Sequence, residues 1–394
     1  MSKSVIEVVT EQADLDALCA DVRERGMFCF DTEFIRDDTY DANLCLVQVA
    51  IGDEVTLFDP LAGLDLAGFW ELVTDPDILT IVHAGKEDFE VCTRKTGKAP
   101  RNVFDVQIAA GFVGYGYPLS LSRLVFVARR KRITKGQTLT DWSRRPLTDD
   151  QLRYAAEDVV HLPATYAKIV KKLKELGRTA WAVEEFERFE NTDFYRPPAV
   201  DRLARFKGAR RLDGLGLEIL LRLIEWRDQW AAERNRPLRA MMRDDMLVEV
   251  ARRAPRKATD LEVLRGFPQA KNRRVVDQIL KIVEDARGVP PAQRPKQTEQ
   301  REETPTMRVT LDLLSAVLRF VCFEDQVSQE LVGGAQRLRD LLDHLEGHTS
   351  EAPMLLTGWR KEFIGQRLVE LLSGKSELHL SGWPEQLRLD IITE

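Results

Sequence analysis

Residues 27–34 read MFCFDTEF, an apolar run that ends in two closely spaced carboxylates. The apolar residues predict a buried strand from Met27 to Asp31. Because side chains alternate along a strand, Asp31 and Glu33 should project to the same face. Two adjacent carboxylates repel each other and raise each other's pKa unless a cation lies between them. The pair is therefore a candidate cation site, although a polar strand exit is the commoner explanation of such a pair on its own.

Apolar runs and helical patterns alternate over about the first 165 residues, which predicts a mixed α/β unit. Further strands are predicted at Leu44–Ile51 and Glu54–Phe58, joined as a hairpin at Gly52-Asp53, and at Ile78–His83. Helices are predicted over residues 86–93, from Val106, after the loop Gly114–Pro118, and from about Thr148. The last helix begins with a capping box, Thr148-Asp149-Asp150-Gln151.

A third carboxylate, Asp88, follows the predicted strand that ends at His83, with Gly85 allowing a sharp turn into the helix. Sites in α/β sheets gather at the carboxyl ends of strands, which predicts that Asp88 lies near Asp31 and Glu33. Taken alone, Asp88 is more often an exposed helix carboxylate. A lone histidine such as His83 is more often a satisfied hydrogen-bonding residue than a ligand.

Tyr154 and Asp158 are four positions apart on the capped helix and therefore share one face of it. A phenol can orient a water molecule, and a carboxylate can complete a metal shell. One buried tyrosine beside one surface aspartate is the simpler explanation of this pair alone. The four carboxylates together, in this order and on these elements, predict a metal site.

The composition indicates a globular protein of 394 residues, with 44% hydrophobic and 31% charged residues, and we expect three domains. The sequence shows neither an apolar stretch of the roughly 18 residues that a membrane span needs nor a secretory signal, which predicts a cytoplasmic protein. Five scattered cysteines fit reduced thiols. Gly374-Lys375-Ser376 resembles the end of a P-loop, but Val369 stands where the first loop glycine belongs, so we expect no ATP binding.

Four segments carry a family resemblance: DTEF (31–34), HAGKEDFEV (83–91), FDVQIAA (104–110) and TDWSRRPLTDDQLRYAAEDV (140–159). Together they resemble the ribonuclease D family of the DEDD exonuclease superfamily. The resemblance implies an RNase H-like exonuclease domain, a mixed sheet flanked by helices. It also implies that Asp31, Glu33, Asp88 and Asp158 bind two divalent metal ions and that Tyr154 helps to position the attacking water. Arg153 stands where the other subtype of the superfamily would have histidine.

The resemblance implies a 3′-5′ exoribonuclease that releases nucleoside 5′-monophosphates, with transfer RNA precursors or other structured RNA carrying single-stranded 3′ tails as substrates. Hard oxygen ligands favour Mg²⁺ or Mn²⁺, and two cations about 3.5 to 4 Å apart can stabilise the attacking and leaving oxygens of a phosphodiester. We expect substrate contacts from Phe34, His83, Arg144 and Arg145, with a structural ion pair as an equal alternative for the arginines. A 3′-5′ DNA exonuclease and a non-catalytic RNA-binding protein are the competing hypotheses.

The charge is unevenly distributed along the chain. Residues 201–300 carry 23 Lys+Arg against 15 Asp+Glu, whereas residues 1–200 carry 25 against 33 and residues 301–394 carry 10 against 16. The basic middle segment favours polyanion binding, with a solvated helical face as the alternative.

Residues 213–287 resemble an HRDC domain, a small helical nucleic-acid-binding module. A phosphate-contacting patch is expected at Arg252, Arg253, Arg256 and Lys257, with a protein-binding role as the alternative. The last part of the chain resembles a second HRDC-like domain, whose negative charge argues against RNA contact. We predict an exonuclease domain over 1–200 with its core at about 1–170, an all-α HRDC domain over 201–290, a linker over 288–306 and an all-α HRDC-like domain over 307–394.

Overall fold

The computed structural model describes residues 8–36, 39–133, 140–264, 267, 272–296, 303–382, 384–385 and 387–393. The chain forms two compact units. The first unit consists of Met1–Glu33, Cys45–Asn191 and Glu302–Glu394, and the second unit consists of Phe34–Leu44 and Thr192–Arg301. This division joins the last part of the chain to the first unit, whereas the sequence assigns residues 307–394 a domain of their own. The predicted domain boundaries stay a prediction.

A six-stranded mixed sheet lies at the centre of the first unit. Its strands are β1 (Val8–Val9), β2 (Met27–Ile35), β3 (Asn43–Ile51), β4 (Glu54–Phe58), β5 (Leu79–Val82) and β6 (Val103–Asp105). They are ordered β1-β4-β3-β2-β5-β6, so β2 is a central strand. The β3–β4 hairpin is antiparallel, as predicted, and β2, β5 and β6 run parallel.

Two predicted strands differ in length from those observed. The strand predicted at Met27–Asp31 continues to Ile35, because strand hydrogen bonds are made by the backbone and polar side chains at 31 and 33 do not interrupt them. The strand predicted at Ile78–His83 is shorter, Leu79–Val82, so His83 lies in the turn that follows it. Both differences lie at the strand ends that carry the candidate site.

Helices flank the sheet, and aromatic rings pack between the sheet and the helices. The helices are α1 (Gln12–Arg25), α2 (Ala67–Val73), α3 (Lys86–Thr96), α4 (Val106–Ala110), α5 (Leu121–Arg129), α6 (Asp149–Val160), α7 (Leu162–Glu175) and α8 (Thr179–Glu187). Phe30 packs against Phe69 and Phe89 with ring centroids 5.7 and 5.9 Å apart. This core ties β2 to α2 and α3. Residues 134–139, between α5 and α6, lie outside the described residues.

The turn between β5 and α3 is held by the buried side chain of Asp105. Its carboxylate accepts hydrogen bonds from the backbone N–H groups of Ala84 (3.1 Å) and Gly85 (3.2 Å), and also from that of Gln107 (2.8 Å). A Cβ at Gly85 would lie 2.5 Å from a methyl group of Val82, so only glycine fits this turn. The position of the first turn of α3 therefore depends on Asp105, which lies on a neighbouring strand.

The second unit is helical, as predicted. Its helices are α9 (Thr192–Tyr195), α10 (Ala199–Arg202), α11 (Gly214–Arg234), α12 (Leu238–Met241), α13 (Asp244–Arg253), α14 (Ala258–Glu262) and α15 (Arg273–Gly288). Leu220, Leu223, Leu247 and Ile279 are fully buried in its core. Arg265 and Gly266 of the HRDC-like sequence and residues 297–302 of the predicted linker lie outside the described residues.

The last part of the chain contains α16 (Pro305–Glu324), α17 (Gln329–Val332), α18 (Ala335–Leu345), α19 (Gly358–Arg360), a π-helical turn at Lys361–Gly365, and α20 (Gln366–Leu372). It ends differently from the all-α prediction, in two antiparallel strands, β7 (Ser376–Ser381) and β8 (Arg388–Thr393). The alternating pattern of SELHLS is typical of a half-buried strand and is the sequence signal for this hairpin.

This last part packs on α8 through a buried ion pair. Arg360 donates to Glu185 at 2.6 Å and to the carbonyl oxygen of Leu331 at 2.6 Å, and the indole N–H of Trp359 also donates to Glu185 at 2.9 Å. Both members of the pair are thus fully hydrogen-bonded, as a buried charge pair requires. Within the described part of the chain, no helix has the length and apolar composition of a membrane span.

The capping box of α6 leads to a first prediction. Thr148 accepts a hydrogen bond from the N–H of Gln151 (3.3 Å), and the side chain of Gln151 accepts one from the N–H of Thr148 (2.9 Å). We expect Thr148→Ala to lower the free energy of unfolding by about 1 kcal/mol, measured by urea denaturation, because the helix loses its cap. Thr148→Ser keeps the hydroxyl and should remain close to wild type. Equal stability of the alanine and serine variants would contradict the capping role.

Candidate metal centre

Three of the predicted carboxylates meet at one point. Asp31 and Glu33 project from β2, and Asp158 projects from α6. One oxygen of each lies within 4.8 Å of an oxygen of the other two. All three are half-buried. The structure thus brings together residues 125 positions apart in the chain, with Asp31 and Glu33 on the same face of β2 as the alternation of strand side chains predicts.

Asp88 completes the cluster from the first turn of α3. Its side chain is buried, with 6% of its surface exposed, and it accepts a short hydrogen bond from the hydroxyl of Thr32 on β2. The alternative of an ordinary exposed helix carboxylate is therefore wrong for Asp88. Thr32 was not singled out from the sequence, because a threonine between two acidic residues gives no signal of a partner 56 positions away.

Burial raises the pKa of all four carboxyl groups, and the charges of other carboxylates of the cluster raise the pKa of Asp31 and Glu33 further. Burial raises the pKa of Asp31 well above its usual range, and the charges of Asp88, Asp158 and Glu33 raise it further. Burial and the charges of Asp158 and Asp88 raise the pKa of Glu33 to about 8. Burial likewise raises the pKa of Asp158 to about 7 and that of Asp88 to about 6. Near neutral pH the cluster is therefore stable only with a bound positive charge, either protons or a cation.

Tyr154 lies beside this cluster, one helical turn before Asp158. Its phenol forms a hydrogen bond with the carboxylate of Asp158, and burial followed by the charges of Asp158, Glu33 and Asp31 raises its pKa above the usual range. The ring packs against the buried Trp142, with centroids 6.1 Å apart. Tyr154 is therefore a neutral hydrogen-bond donor at physiological pH and is held in a defined orientation.

The donor set fits a divalent cation. Three carboxylates converge on one point, and carboxylate oxygens are the ligands that Mg²⁺ and Mn²⁺ prefer. The same geometry would be costly without a cation, because like charges disfavour each other's ionisation. Asp31, Glu33 and Asp158, with Asp88 next to them, can hold divalent metal.

The two arginines predicted to contact substrate have different surroundings. Arg145 donates to both oxygens of the buried Asp59 at 2.5 and 2.6 Å and to the carbonyl oxygen of Cys45 at 2.6 Å. Its donors are thus used within the protein, which is the structural ion pair considered as the alternative. Arg144 is 84% exposed and forms an ion pair of 3.1 Å with Asp141.

The other two predicted substrate residues also have partners within the protein. The Nε2 atom of His83 lies 2.9 Å from the carbonyl oxygen of Leu119, and burial lowers the pKa of the imidazole. The environment of His83 is that of a satisfied hydrogen-bonding residue. Phe34, near the end of β2, lies under the guanidinium of Arg36, which is 4.7 Å from the ring centroid.

Two of the four residues in the predicted basic patch of the second unit already form ion pairs within the protein. Arg252 and Arg253 both form ion pairs with Glu249, the latter at 2.6 Å. Asp260 accepts hydrogen bonds from the backbone N–H groups of Arg256 and Lys257, whose side chains are exposed. The four residues are therefore on the surface, but two of them share one carboxylate.

Asp105 is the main residue of the site region that sequence reasoning missed. It caps α4 and at the same time holds the turn that leads to Asp88. An aspartate directly before a predicted helix start is an N-cap signal, so the capping role was accessible from the sequence. Its contact with Ala84 and Gly85 was not, because it depends on the pairing of β5 with β6.

The raised pKa values give a prediction for the metal-free protein. Glu33 in the folded state has a pKa of about 8, above the value of about 4.3 expected in an unfolded chain. The folded state thus binds more protons between these pH values, and its stability falls as pH rises through this window. We expect Glu33→Gln to be increasingly more stable than wild type from pH 5 to pH 8 in EDTA, measured by urea denaturation.

The same experiment includes a metal arm and a matched control. Mg²⁺ should stabilise wild type at pH 8 more than it stabilises Glu33→Gln, because the cation replaces the missing protons. Glu24→Gln removes an exposed carboxylate of α1 and should show neither effect. Parallel pH profiles of wild type and Glu33→Gln would show that Glu33 is not part of a repulsive cluster.

Comparisons with known proteins agree with this geometry. A family model described as 3′-5′ exonuclease matches residues 6–174, and the HRDC domain model matches residues 216–283. Ribonuclease D of Zymomonas mobilis is 33% identical over 377 residues, which cover 93% of this chain and 94% of that protein. Ribonuclease D of a Shewanella species is 32% identical over 369 residues, which cover 93% of this chain and 94% of that protein.

A solved structure is similar over the same extent. The crystal structure of Escherichia coli RNase D, described as an exoribonuclease involved in structured RNA processing, matches with a TM-score of 0.80 and 28% identity. The match covers 93% of this chain and 98% of that chain. Identity above 30% over nearly the whole length, with both domain models present, shows that the chain belongs to the ribonuclease D family of 3′-5′ exoribonucleases.

Proposed function

We propose that this protein removes nucleotides from the 3′ end of RNA by metal-dependent hydrolysis and releases nucleoside 5′-monophosphates. The observation that carries the proposal is the convergence of Asp31, Glu33 and Asp158 within 4.8 Å, with Asp88 buried beside them. A non-catalytic RNA-binding protein would have no use for four carboxylates whose repulsion destabilises the fold near neutral pH.

The proposal includes two divalent cations, Mg²⁺ or Mn²⁺, with Asp31, Glu33 and Asp158 holding one and Asp31 and Asp88 holding the other. Bound cations supply positive charge that stabilises the attacking and leaving oxygens of the phosphodiester. The hydrogen bond from Tyr154 to Asp158 places the phenol within the same cluster. We assign to Tyr154 the orientation of the attacking water, since a neutral phenol can donate a hydrogen bond but cannot act as a base.

The substrate class is supported by the family. Escherichia coli RNase D is described as acting in structured RNA processing, which favours RNA over DNA for this chain. We extend this to the maturation of transfer RNA 3′ ends in the cytoplasm, where five buried free cysteines would stay reduced. Arg144, largely exposed at the segment before α6, is retained as a phosphate contact, as are Arg256 and Lys257 in the second unit.

Removal of one metal ligand tests the proposal directly. We expect Asp31→Asn and Asp158→Asn to reduce Mg²⁺-dependent removal of 3′ nucleotides by several orders of magnitude while the protein stays folded. Asp150→Asn is the matched control, because Asp150 lies on the same helix but is exposed and pairs with Arg153. The assay is digestion of an RNA with a single-stranded 3′ tail, with circular dichroism as the folding check.

Two outcomes would contradict parts of the proposal. Near-normal activity of either ligand variant would overturn the metal assignment. A matched DNA with the same 3′ tail is digested in parallel, and faster loss of the DNA than of the RNA would overturn the substrate class. EDTA should stop both reactions.

The role of Tyr154 gives a separate prediction. We expect Tyr154→Phe to reduce the rate of single-turnover cleavage by about 10²- to 10⁴-fold, the span expected of a positioned acid-base group. Because the pKa of the phenol is raised, it stays protonated from pH 6 to 9, and the pH profiles of variant and wild type should have the same shape. Tyr166→Phe, which alters a tyrosine packed on Phe104, is the control. A wild-type rate in Tyr154→Phe would make Tyr154 a packing residue only.

A further inference from the structure

A cleft in the second unit lies between α11 and α15, away from the predicted patch of Arg252, Arg253, Arg256 and Lys257. We call it the tryptophan cleft. It contains about 490 Å³ of empty space, a volume that includes open solvent, and it is a cleft of the protein surface. The side chains used here are Trp226, Trp230 and Arg234 of α11 and Arg274 and Gln278 of α15.

Two stacked indoles form one side of the cleft. The rings of Trp226 and Trp230 lie 5.0 Å apart at an angle of 24°, as their spacing of four residues on one helix allows. The indole N–H of Trp226 donates to the side-chain oxygen of Gln278 at 3.3 Å, which ties the pair to α15. Both rings are only partly buried. A rigid aromatic surface is thus anchored at the wall of an open cleft.

Positive charge lies at the same place. The guanidinium of Arg234 is 5.7 Å from the ring centroid of Trp230, and Arg274 lines the cleft from α15. Both arginines are exposed, and neither forms an ion pair with another residue in the described part of the chain. The cleft is also lined by one acidic residue, Glu233, so its described lining carries two positive charges and one negative charge. By contrast, Arg252 and Arg253 share Glu249, so half of their positive charge is compensated.

We propose that the tryptophan cleft binds single-stranded RNA, with a base packed against the indoles and phosphates on Arg234 and Arg274. The ligand must offer flat ring faces together with negative charge, which a single strand does and a duplex, whose bases are stacked inside, does not. The net positive charge of residues 201–300 favours the same class of ligand. The inference rests on the proposed action of this chain on RNA and adds a second contact outside the carboxylate cluster.

The arginines provide the first test, on the full-length protein in EDTA so that the probe stays intact. The probe is a 5′-labelled oligouridylate of about 20 nucleotides, longer than the roughly 4 to 16 nucleotides that single-strand binding modules cover. The change Arg234→Ala with Arg274→Ala should weaken binding at least tenfold. It should also lower the slope of log K against log salt by about 0.7 for each lost phosphate contact.

The control is a second double variant that removes two positive charges from the same unit, outside the tryptophan cleft. Arg210 and Arg211 are exposed, form no ion pair with described residues, and precede the N-terminal end of α11, whereas the cleft lies about 18 to 30 Å further along the helix. Arg210→Ala with Arg211→Ala should change affinity by less than about threefold. Equal losses in the two pairs would mean that general charge and not the cleft binds RNA, and no loss in either would also overturn the proposal.

The stacking part is tested by Trp230→Leu, which keeps an apolar side chain and removes the ring. Loss of one stacked base should weaken binding by about 5- to 150-fold without changing the salt slope. Should this variant lose its fold by circular dichroism, the arginine pairs still decide the proposal. Digestion of the same RNA by wild type with Mg²⁺ separates the two proposals. Normal digestion with binding independent of the cleft overturns only the cleft, whereas cleft-dependent binding without digestion overturns only the activity.

Discussion

The partial burial of four neighbouring carboxylates is the constraint on which the rest of this structure depends. Asp31, Glu33 and Asp158 are half-buried beside the buried Asp88, and burial raises the pKa values of Glu33, Asp158 and Asp88 to about 8, 7 and 6. Carboxyl groups with raised pKa values bind protons near neutral pH, and binding of a cation in place of these protons is favourable. Cation binding and folding are therefore linked: a cation that displaces these protons stabilises the fold through the same interactions that create the site.

Separate contacts fix the position of each element that carries a carboxylate of the cluster. β2 is fixed in the middle of the sheet, α3 is positioned through the bonds of Asp105 to Ala84 and Gly85, and the segment before α6 is held by Arg145 on Asp59. Asp105 binds backbone N–H groups, and Arg145 binds Asp59 and a backbone carbonyl oxygen, so neither anchor occupies a carboxylate of the cluster. A change at either anchor would let the elements move apart in the direction that repulsion favours.

The sequence predicts those features of the fold and the site that depend on residues close together in the chain. The β3–β4 hairpin, the start of α6 and the shared face of Asp31 and Glu33 depend on local patterns, and the sequence predicts all of them. The extension of β2 to Ile35, the bond of Thr32 to Asp88 and the bonds of Arg145 to Asp59 and Cys45 depend on residues 56 to 100 positions away or on strand pairing. No local pattern contains that information. The strands β7 and β8 differ from the all-α prediction because their short alternating patterns directly follow the strong helical pattern of α20.

The second unit shows why a run of basic residues is an incomplete guide to a nucleic-acid surface. Arg252 and Arg253 share Glu249, Arg202 pairs with Asp228, and Arg227 pairs with Asp244, so much of the positive charge counted from the sequence is already compensated. Phosphate must compete with a carboxylate at such positions, whereas it meets no described competitor at Arg234 or Arg274. The absence of an ion pair is therefore not sufficient to define such a surface, because Arg210 and Arg211 form none with described residues either. The aromatic rings beside Arg234 and Arg274 add selectivity for unstacked bases.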